Sequence, residues 1–343
     1  MGYSWEDDSG SSSSGGVSRS GGEDFRSARK AYKKSTTPTR SSGRSTGRST
    51  ARSSARSSRA SHDFTSARGK TPSPIKRKKL AVSTNSSHPL VVCCDHTGSF
   101  RTEVGIILEK LPLLGNEAKR YIPQGEICFS LVGDSAYDSF PLQVRDFKKG
   151  KPLDGELKKL YPEGGGGDSP ESYDLAAYYF THHCEMPNAV KPLFVWILDD
   201  KTRTNLEAAH VREHIGDDVQ ANLNSKEVLR RLADKFEVYV LFKKTSSCRR
   251  FWTDIYGTDN VITLDKPRDI IEMIIGIVAG EAGEYEDFEL RSGKRHSDRP
   301  DRVSRVKTSL RSVKDKSAGG GTDGVAVGKK SGGKTSLKSR KLT

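Results

Sequence analysis

Long hydrophobic runs are missing from this sequence. Of 343 residues, 33% are hydrophobic, below the roughly 45–50% apolar content, glycine included, of ordinary globular domains. No stretch approaches the ~18 apolar residues that a membrane-spanning helix needs. The nearest, Ile270 to Val278, is short and interrupted by Glu272. The first residues, Met-Gly-Tyr-Ser-Trp-Glu-Asp-Asp, lack the basic-then-apolar order of a secretory signal, and Glu6 stands where a myristoylation signal would want Ser or Thr. Cysteine is scarce. Cys93, Cys94, Cys128, Cys184 and Cys248 form no CxxC pair, which excludes a zinc knuckle by spacing. Their odd number suits reduced thiols, so a soluble intracellular protein, nuclear or cytoplasmic, is expected.

Charge is plentiful and unevenly spread. The chain carries a net +14. Residues 1–86 hold 18 Lys/Arg against 6 Asp/Glu, and residues 291–343 hold 16 against 4. The stretch between them, 87–290, holds 24 against 34. An acidic core of a size suited to one large domain is therefore expected at 87–290, between two basic arms.

The arm at 1–86 is rich in Ser, Arg and Gly, and too poor in large apolar residues to offset the entropy of ordering it; 291–343 reads the same way. Both are expected to be disordered. Arg40, Arg44, Arg48, Arg52 and Arg56 recur every four residues. They form a cationic array that could meet nucleic-acid phosphates or serve only as a solubilising tail. Lys76, Arg77, Lys78 and Lys79, following Thr71-Pro72-Ser73-Pro74, read as a nuclear-import signal beside a proline-directed phosphorylation site. Two catalytic patterns are rejected on context. Gly328 to Thr335 fits a phosphate loop but has only eight residues after it, and Gly43 to Gly47 fits a nucleophile elbow with no strand before it.

The core alternates apolar runs with helical periodicity. Strands are predicted at Leu90–Cys94, Ile127–Val132, Phe140–Phe147, Leu193–Leu198, Val238–Phe242 and Val261–Leu264, the second and third as a hairpin. Helices are predicted at Phe100–Tyr121, where Pro112 would bend or split the helix, and at Ser172–His182, Asn205–His214, Ser225–Lys235 and Asp269–Val278. The fold class that follows is α/β: a doubly wound, mostly parallel sheet with one antiparallel edge strand and helices on both faces.

Ligands of such sheets bind beyond the carboxyl ends of the strands. There the sequence offers Asp95-His96-Thr97-Gly98-Ser99 after the first strand and Asp199-Asp200 after Leu193–Leu198. Gly164 to Glu171, with Asp168 in it, precedes the helix at Ser172. Carboxylates and hydroxyls without sulfur suit a hard cation, Mg²⁺ first and Mn²⁺ second. The competing local readings are a capping box for Asp168 and Glu171, a plain turn for Asp95, and a helix cap for Asp199 or Asp200.

These residues resemble the von Willebrand factor type A (VWA) family, in its intracellular, bacterial-style variety with a Gly-Gly-Gly-Asp-x-Pro-Glu loop. The resemblance covers about residues 88–280 and includes Phe251 to Gly257 and Val261 to Leu264 near the end of the core. The family's metal-ion-dependent adhesion site (MIDAS) uses Asp-x-Ser/Thr-x-Ser, a residue of a Gly-rich loop and a later Asp. The resemblance therefore implies a metal held by Asp95, Thr97, Ser99, Asp168 and Asp199, the last through water. It implies a protein partner offering Asp or Glu to the metal, a binding module and no catalysis. Asp168 departs from the adhesive members, many of which place Thr there, and a further carboxylate would damp the pull on a partner's carboxylate.

Three other functions are weighed. In one, the arms bind nucleic acid or acidic proteins and the core is a scaffold. In another, His210-Val-Arg-Glu213-His214 fits the HxxEH pattern of inverted zinc peptidases, with Glu227 or Glu272 as third ligand. The last, an Asp-nucleophile phosphatase, lacks its second carboxylate because position 97 is Thr.

Overall fold

The structure is a computed structural model that describes residues 81–163, 170–244 and 247–319. Six strands form its main sheet: β1 (Leu90–Asp95), β2 (Ile127–Val132), β3 (Leu142–Val144), β4 (Leu193–Leu198), β5 (Glu237–Lys243) and β6 (Val261–Leu264). Their order is β6-β5-β4-β1-β2-β3, with every pairing parallel except β2 with β3 at the edge. This is the expected doubly wound sheet. Strands buried on both faces need no polar alternation, which is why β1 (LVVCCD), β2 (ICFSLV) and β4 (LFVWIL) read as near-continuous apolar runs.

Side chains along β1 divide between two cores. Leu90, Val92 and Cys94 join a layer built on α1 (Arg101–Tyr121) and α6 (Ile270–Glu281). Val91 and Cys93 join the opposite layer, with α3 (Tyr173–His183), α4 (Ser225–Ala233) and α5 (Arg249–Tyr256). The first layer also takes in Leu153 and Leu157 of α2 (Lys151–Leu157).

Four sequence expectations need correction. First, α1 runs through Pro112 without being split. Its buried residues Val104 and Ile107 precede the proline and Leu114 and Ala118 follow it, so packing on both sides holds one helix. Second, the helix expected at Asn205–His214 is a two-residue strand, Asn205–Leu206, paired with Leu223–Asn224, then a helical turn at Ala208–His210 and a π-helical turn at Val211–Ile215. Third, the fold begins before residue 87. Val82–Ser83 pairs with Cys184–Glu185, and Thr84 donates to Glu126 at 2.5 Å. Residues 1–80, with the nuclear-import residues Lys76, Arg77, Lys78 and Lys79, lie outside the described residues.

The fourth correction is the largest. The region expected to be a disordered tail from 291 is helical to Gly319, as α7 (Tyr285–Arg295), α8 (Pro300–Ser309) and α9 (Arg311–Gly319). Composition misleads here because the apolar residues are few but well spaced. Phe288, Val306, Leu310 and Val313 are all buried and close the outer side of the α1–α6 layer. Gly276 and Gly280 of α6 make room for them. A Cβ at Gly276 would lie 2.4 Å from Leu310 Cδ1, and one at Gly280 would lie 2.3 Å from Val313 Cγ1.

Several basic residues of this region are not solvated charges. Arg295 meets Glu272 and Glu117 at 3.0 and 2.7 Å, and His296 lies 3.0 Å from Glu272. Arg302 and Arg305 grip Asp269 at 2.9 and 2.6 Å. Residues 320–343, with the rejected phosphate-loop pattern, lie outside the described residues.

Two tests follow for this helical extension. Burial works against ionising Glu272, but the close approach of His296 and the hydrogen bonds from Arg295 outweigh it and hold the carboxyl down to about 2. A depressed carboxylate contributes stability above its unfolded pKa of about 4.5 and loses it as pH falls through the folded value. Urea unfolding is expected to weaken between pH 4.5 and 2, by on the order of 3 kcal/mol from this group. Glu272→Gln is expected to be less stable at pH 7 and to show a flatter acid limb. Separately, Gly276→Val is expected to cost about 1–3 kcal/mol by overpacking and to expose α8 and α9 to limited proteolysis; unchanged protection would contradict the docking described.

Candidate metal centre

In a sheet of this order the crevice lies where the strand order reverses, between β1 and β4. Asp95 is the last residue of β1, and Asp199 follows β4 directly. Two of the sequence-selected loops therefore leave adjacent parallel strands in the same direction.

Asp95 has no exposed surface. Its Oδ1 accepts from the Thr97 backbone N–H at 2.7 Å and from the Thr97 hydroxyl at 2.6 Å. The Tyr173 hydroxyl donates to Oδ2 at 2.5 Å. Thr97 Oγ1 lies 3.4 Å from Ser99 Oγ, and the Ser99 side chain is close enough to the half-buried Asp199 to favour its charged form. Asp95, Thr97 and Ser99 are thus linked by one chain of oxygen contacts, with Asp199 beside its Ser99 end. Asp95 is not a plain turn residue, and Asp199 and Asp200 cap no helix, since the chain continues to the short strand at Asn205.

The third loop is described only in part. Asp168 lies outside the described residues. The helix it was expected to cap starts at Tyr173, after Ser172 at the cap position. Glu171 consequently stands before the helix rather than in its first turn, where a capping box would need it. Glu171 is instead buried, and its Oε2 has no hydrogen-bond partner.

The site is crowded with carboxyl groups, several of them buried. Burial pushes the Asp95 carboxyl up to about 7 against the hydrogen bonds that favour its charge. Burial, then the neighbouring Asp95, Asp134, Asp138 and Asp200, push Glu171 up to about 9. Burial also raises Asp199. Nearby, Asp134 has no exposed surface; its Oδ1 pairs with Arg203 at 2.7 Å, while its Oδ2 has no partner. Lys243, the last residue of β5, reaches the same edge: its Nζ donates to the Ser99 carbonyl at 2.8 Å and lies 4.0 Å from Asp199 Oδ2.

Among the described residues no three His, Cys, Asp or Glu side chains gather as a metal-holding group. A cation here would have to draw on the hydroxyls of Thr97 and Ser99 as well as on carboxylates. The donor chemistry fits one: all the ligating atoms are oxygen, and a buried carboxylate oxygen of Glu171 is unmatched.

The HxxEH residues are engaged elsewhere. His210 Nδ1 is 2.8 Å from Ser135 Oγ, and His214 Nε2 is 3.3 Å from the Ser135 carbonyl. Glu213 and Glu227 are exposed, and Glu272 is bound to Arg295 and His296. The two imidazoles have no third ligand among those candidates.

Sequence reading did not select Tyr173, Lys243 or Arg203. Tyr173 opens a helix and Lys243 closes a strand, and only the sheet order brings them to Asp95 and Asp199.

No family profile and no curated protein matches this chain. Solved structures do align with it at low similarity. Proximal thread matrix protein 1 from the mussel byssus is 9% identical, with a TM-score of 0.41, over 59% of this chain and 49% of that one. A structure of the same protein with a zinc-occupied MIDAS motif is 10% identical, with a TM-score of 0.40, over 59% and 49%. The pilus adhesin SpaC from Lactobacillus rhamnosus GG is 10% identical, with a TM-score of 0.42, over 60% and 32%. The chain spans about half of the mussel protein and about a third of the adhesin.

The raised carboxyls give a test with a definite sign. A carboxyl with an elevated folded pKa contributes stability fully below its unfolded value of about 4 and loses it as pH rises through the folded one. In EDTA the protein is expected to lose stability from pH 5 to pH 9, through about 7 for Asp95 and about 9 for Glu171. Glu171→Gln is expected to flatten that decline and to gain roughly 1–3 kcal/mol at pH 8 in urea unfolding.

Proposed function

We propose that this protein is a metal-dependent protein-binding module of the VWA type. Asp95, Thr97 and Ser99 would hold a divalent cation, Mg²⁺ first and Mn²⁺ second, with Asp199 through water and Asp168 from the Gly-rich loop. The observation that carries this reading is the connected set of oxygens from Asp95 through Thr97 to Ser99, with Asp199 beside it on the loop leaving the neighbouring strand at the reversal point of the sheet. A plain α/β scaffold has no need of a fully buried carboxylate there, and desolvating one without a counter-charge is costly.

When bound, the cation would offer a Lewis-acidic position to a carboxylate. The residues of this chain do the rest. Tyr173 and Thr97 fix the Asp95 carboxylate by hydrogen bonds to both oxygens. The partner chemistry that fits is a protein presenting Asp or Glu. In this reading the module binds and does not catalyse. The basic residues of 1–80 and 320–343 would add reach towards nucleic acid or acidic proteins, and the five free cysteines favour an intracellular setting, in nucleus or cytoplasm. No helix among the described residues is long and apolar enough to cross a membrane.

The deciding experiment is thermal melting of the full chain in EDTA and then in millimolar Mg²⁺ or Mn²⁺. At a concentration 100-fold above Kd a cation is expected to add about 2.7 kcal/mol of stability, and Asp95→Ala is expected to abolish the rise. A wild-type melt indifferent to both cations would sink the proposal. Capture of carboxylate-bearing proteins in Mg²⁺, compared between wild type and Asp95→Ala, then tests the binding role.

A further inference from the structure

The ammonium of Lys243 sits among residues that the proposed metal set already claims. It donates to the Ser99 carbonyl at 2.8 Å, pairs with Glu103 Oε1 at 3.1 Å and lies 4.0 Å from Asp199 Oδ2. The Phe100 ring lies beneath it, 4.9 Å away at the centroid. Its neighbour Lys244, just past the end of the strand, behaves differently and pairs with Asp265 on the exposed surface.

Glu103 alone does not account for this placement. It is buried in the first turn of α1, and its Oε2 has no partner. One fixed positive charge therefore serves Glu103 and Asp199 while gripping the backbone of Ser99. A divalent cation drawn to Asp199 and Ser99 would meet that charge at close range, and repulsion between like charges at a half-buried edge is substantial.

We propose that Lys243 is a tethered counter-cation of this centre, a residue that competes for Asp199 and sets how tightly a divalent cation is held. This rests on the metal-binding reading above. A lysine that merely braces Glu103 and the Ser99 loop would leave cation affinity unchanged on removal of its charge, or lower it. A competitor would do the reverse.

The test is calorimetric titration of Mg²⁺ and Mn²⁺ into the full chain as wild type, Lys243→Gln, Lys243→Arg and Asp95→Ala. Lys243→Gln is expected to bind roughly tenfold more tightly than wild type, and Lys243→Arg to stay near wild type. Equal or weaker binding by a folded Lys243→Gln overturns the inference while leaving the metal reading intact. Binding by none of the chains, or undiminished binding by Asp95→Ala, overturns the metal reading and this inference with it. A second measurement needs no variant. Amine-reactive labelling of wild type, read by mass spectrometry, is expected to modify Lys243 more in Mg²⁺ than in EDTA, as the cation takes Asp199 from it. Labelling independent of Mg²⁺, in a protein that binds Mg²⁺, counts against competition.

Discussion

A carboxylate with no exposed surface governs the arrangement of this protein. Asp95 ends a strand whose two faces are both covered, so water cannot solvate it. Its charge must be met by groups that the fold brings to it. Thr97 supplies two donors from the same loop, and Tyr173 supplies a third from the start of α3, across the switch point of the sheet. Those donors do not balance the cost of burial, as the elevated Asp95 carboxyl records. Glu171, Asp199 and Asp134 deepen the same excess of negative charge. Arg203 and Lys243 each touch one side of it, and neither reaches the unpartnered oxygen of Glu171.

Another pair of buried carboxylates answers the same problem with cations. Asp269 and Glu272, at the start of α6, are as buried as Asp95, but they lie against Arg295, His296, Arg302 and Arg305 of the helical extension. Paired burial of this kind adds little over an apolar contact, yet it penalises any arrangement that leaves one member alone. The extension is therefore fixed in register by charge and held by the apolar side chains that fill the hollows at Gly276 and Gly280. Two buried carboxylate groups thus have different chemistry: one is neutralised by the chain itself, the other keeps unmatched oxygens.

Much of the fold was legible in the sequence. Runs such as Leu193–Leu198 are apolar on both sides of the pleat, which marks interior parallel strands. The Asp-x-Thr-x-Ser segment after such a run was readable as a candidate loop because its polar residues alternate just where a strand ends. Elsewhere local patterns misled. The HxxEH segment has helical spacing but forms a π-helical turn, and the tail from 291 has the composition of a disordered chain but docks on α6. In both places the deciding contacts come from residues distant in sequence, Ser135 for the histidines and Asp269 and Glu272 for the arginines.

The sequence by itself determined the alternation of elements, the antiparallel edge and the identity of the carboxylates and hydroxyls that follow the strands. Those depend on neighbouring residues and on the period of each element. Only the tertiary structure decided that β4 lies beside β1 with β5 next to it. That order puts Asp199 and Lys243 at the same edge as Asp95. Electrostatic interactions act across space rather than along the chain, so which charges balance each other follows from the sheet order and from no local pattern.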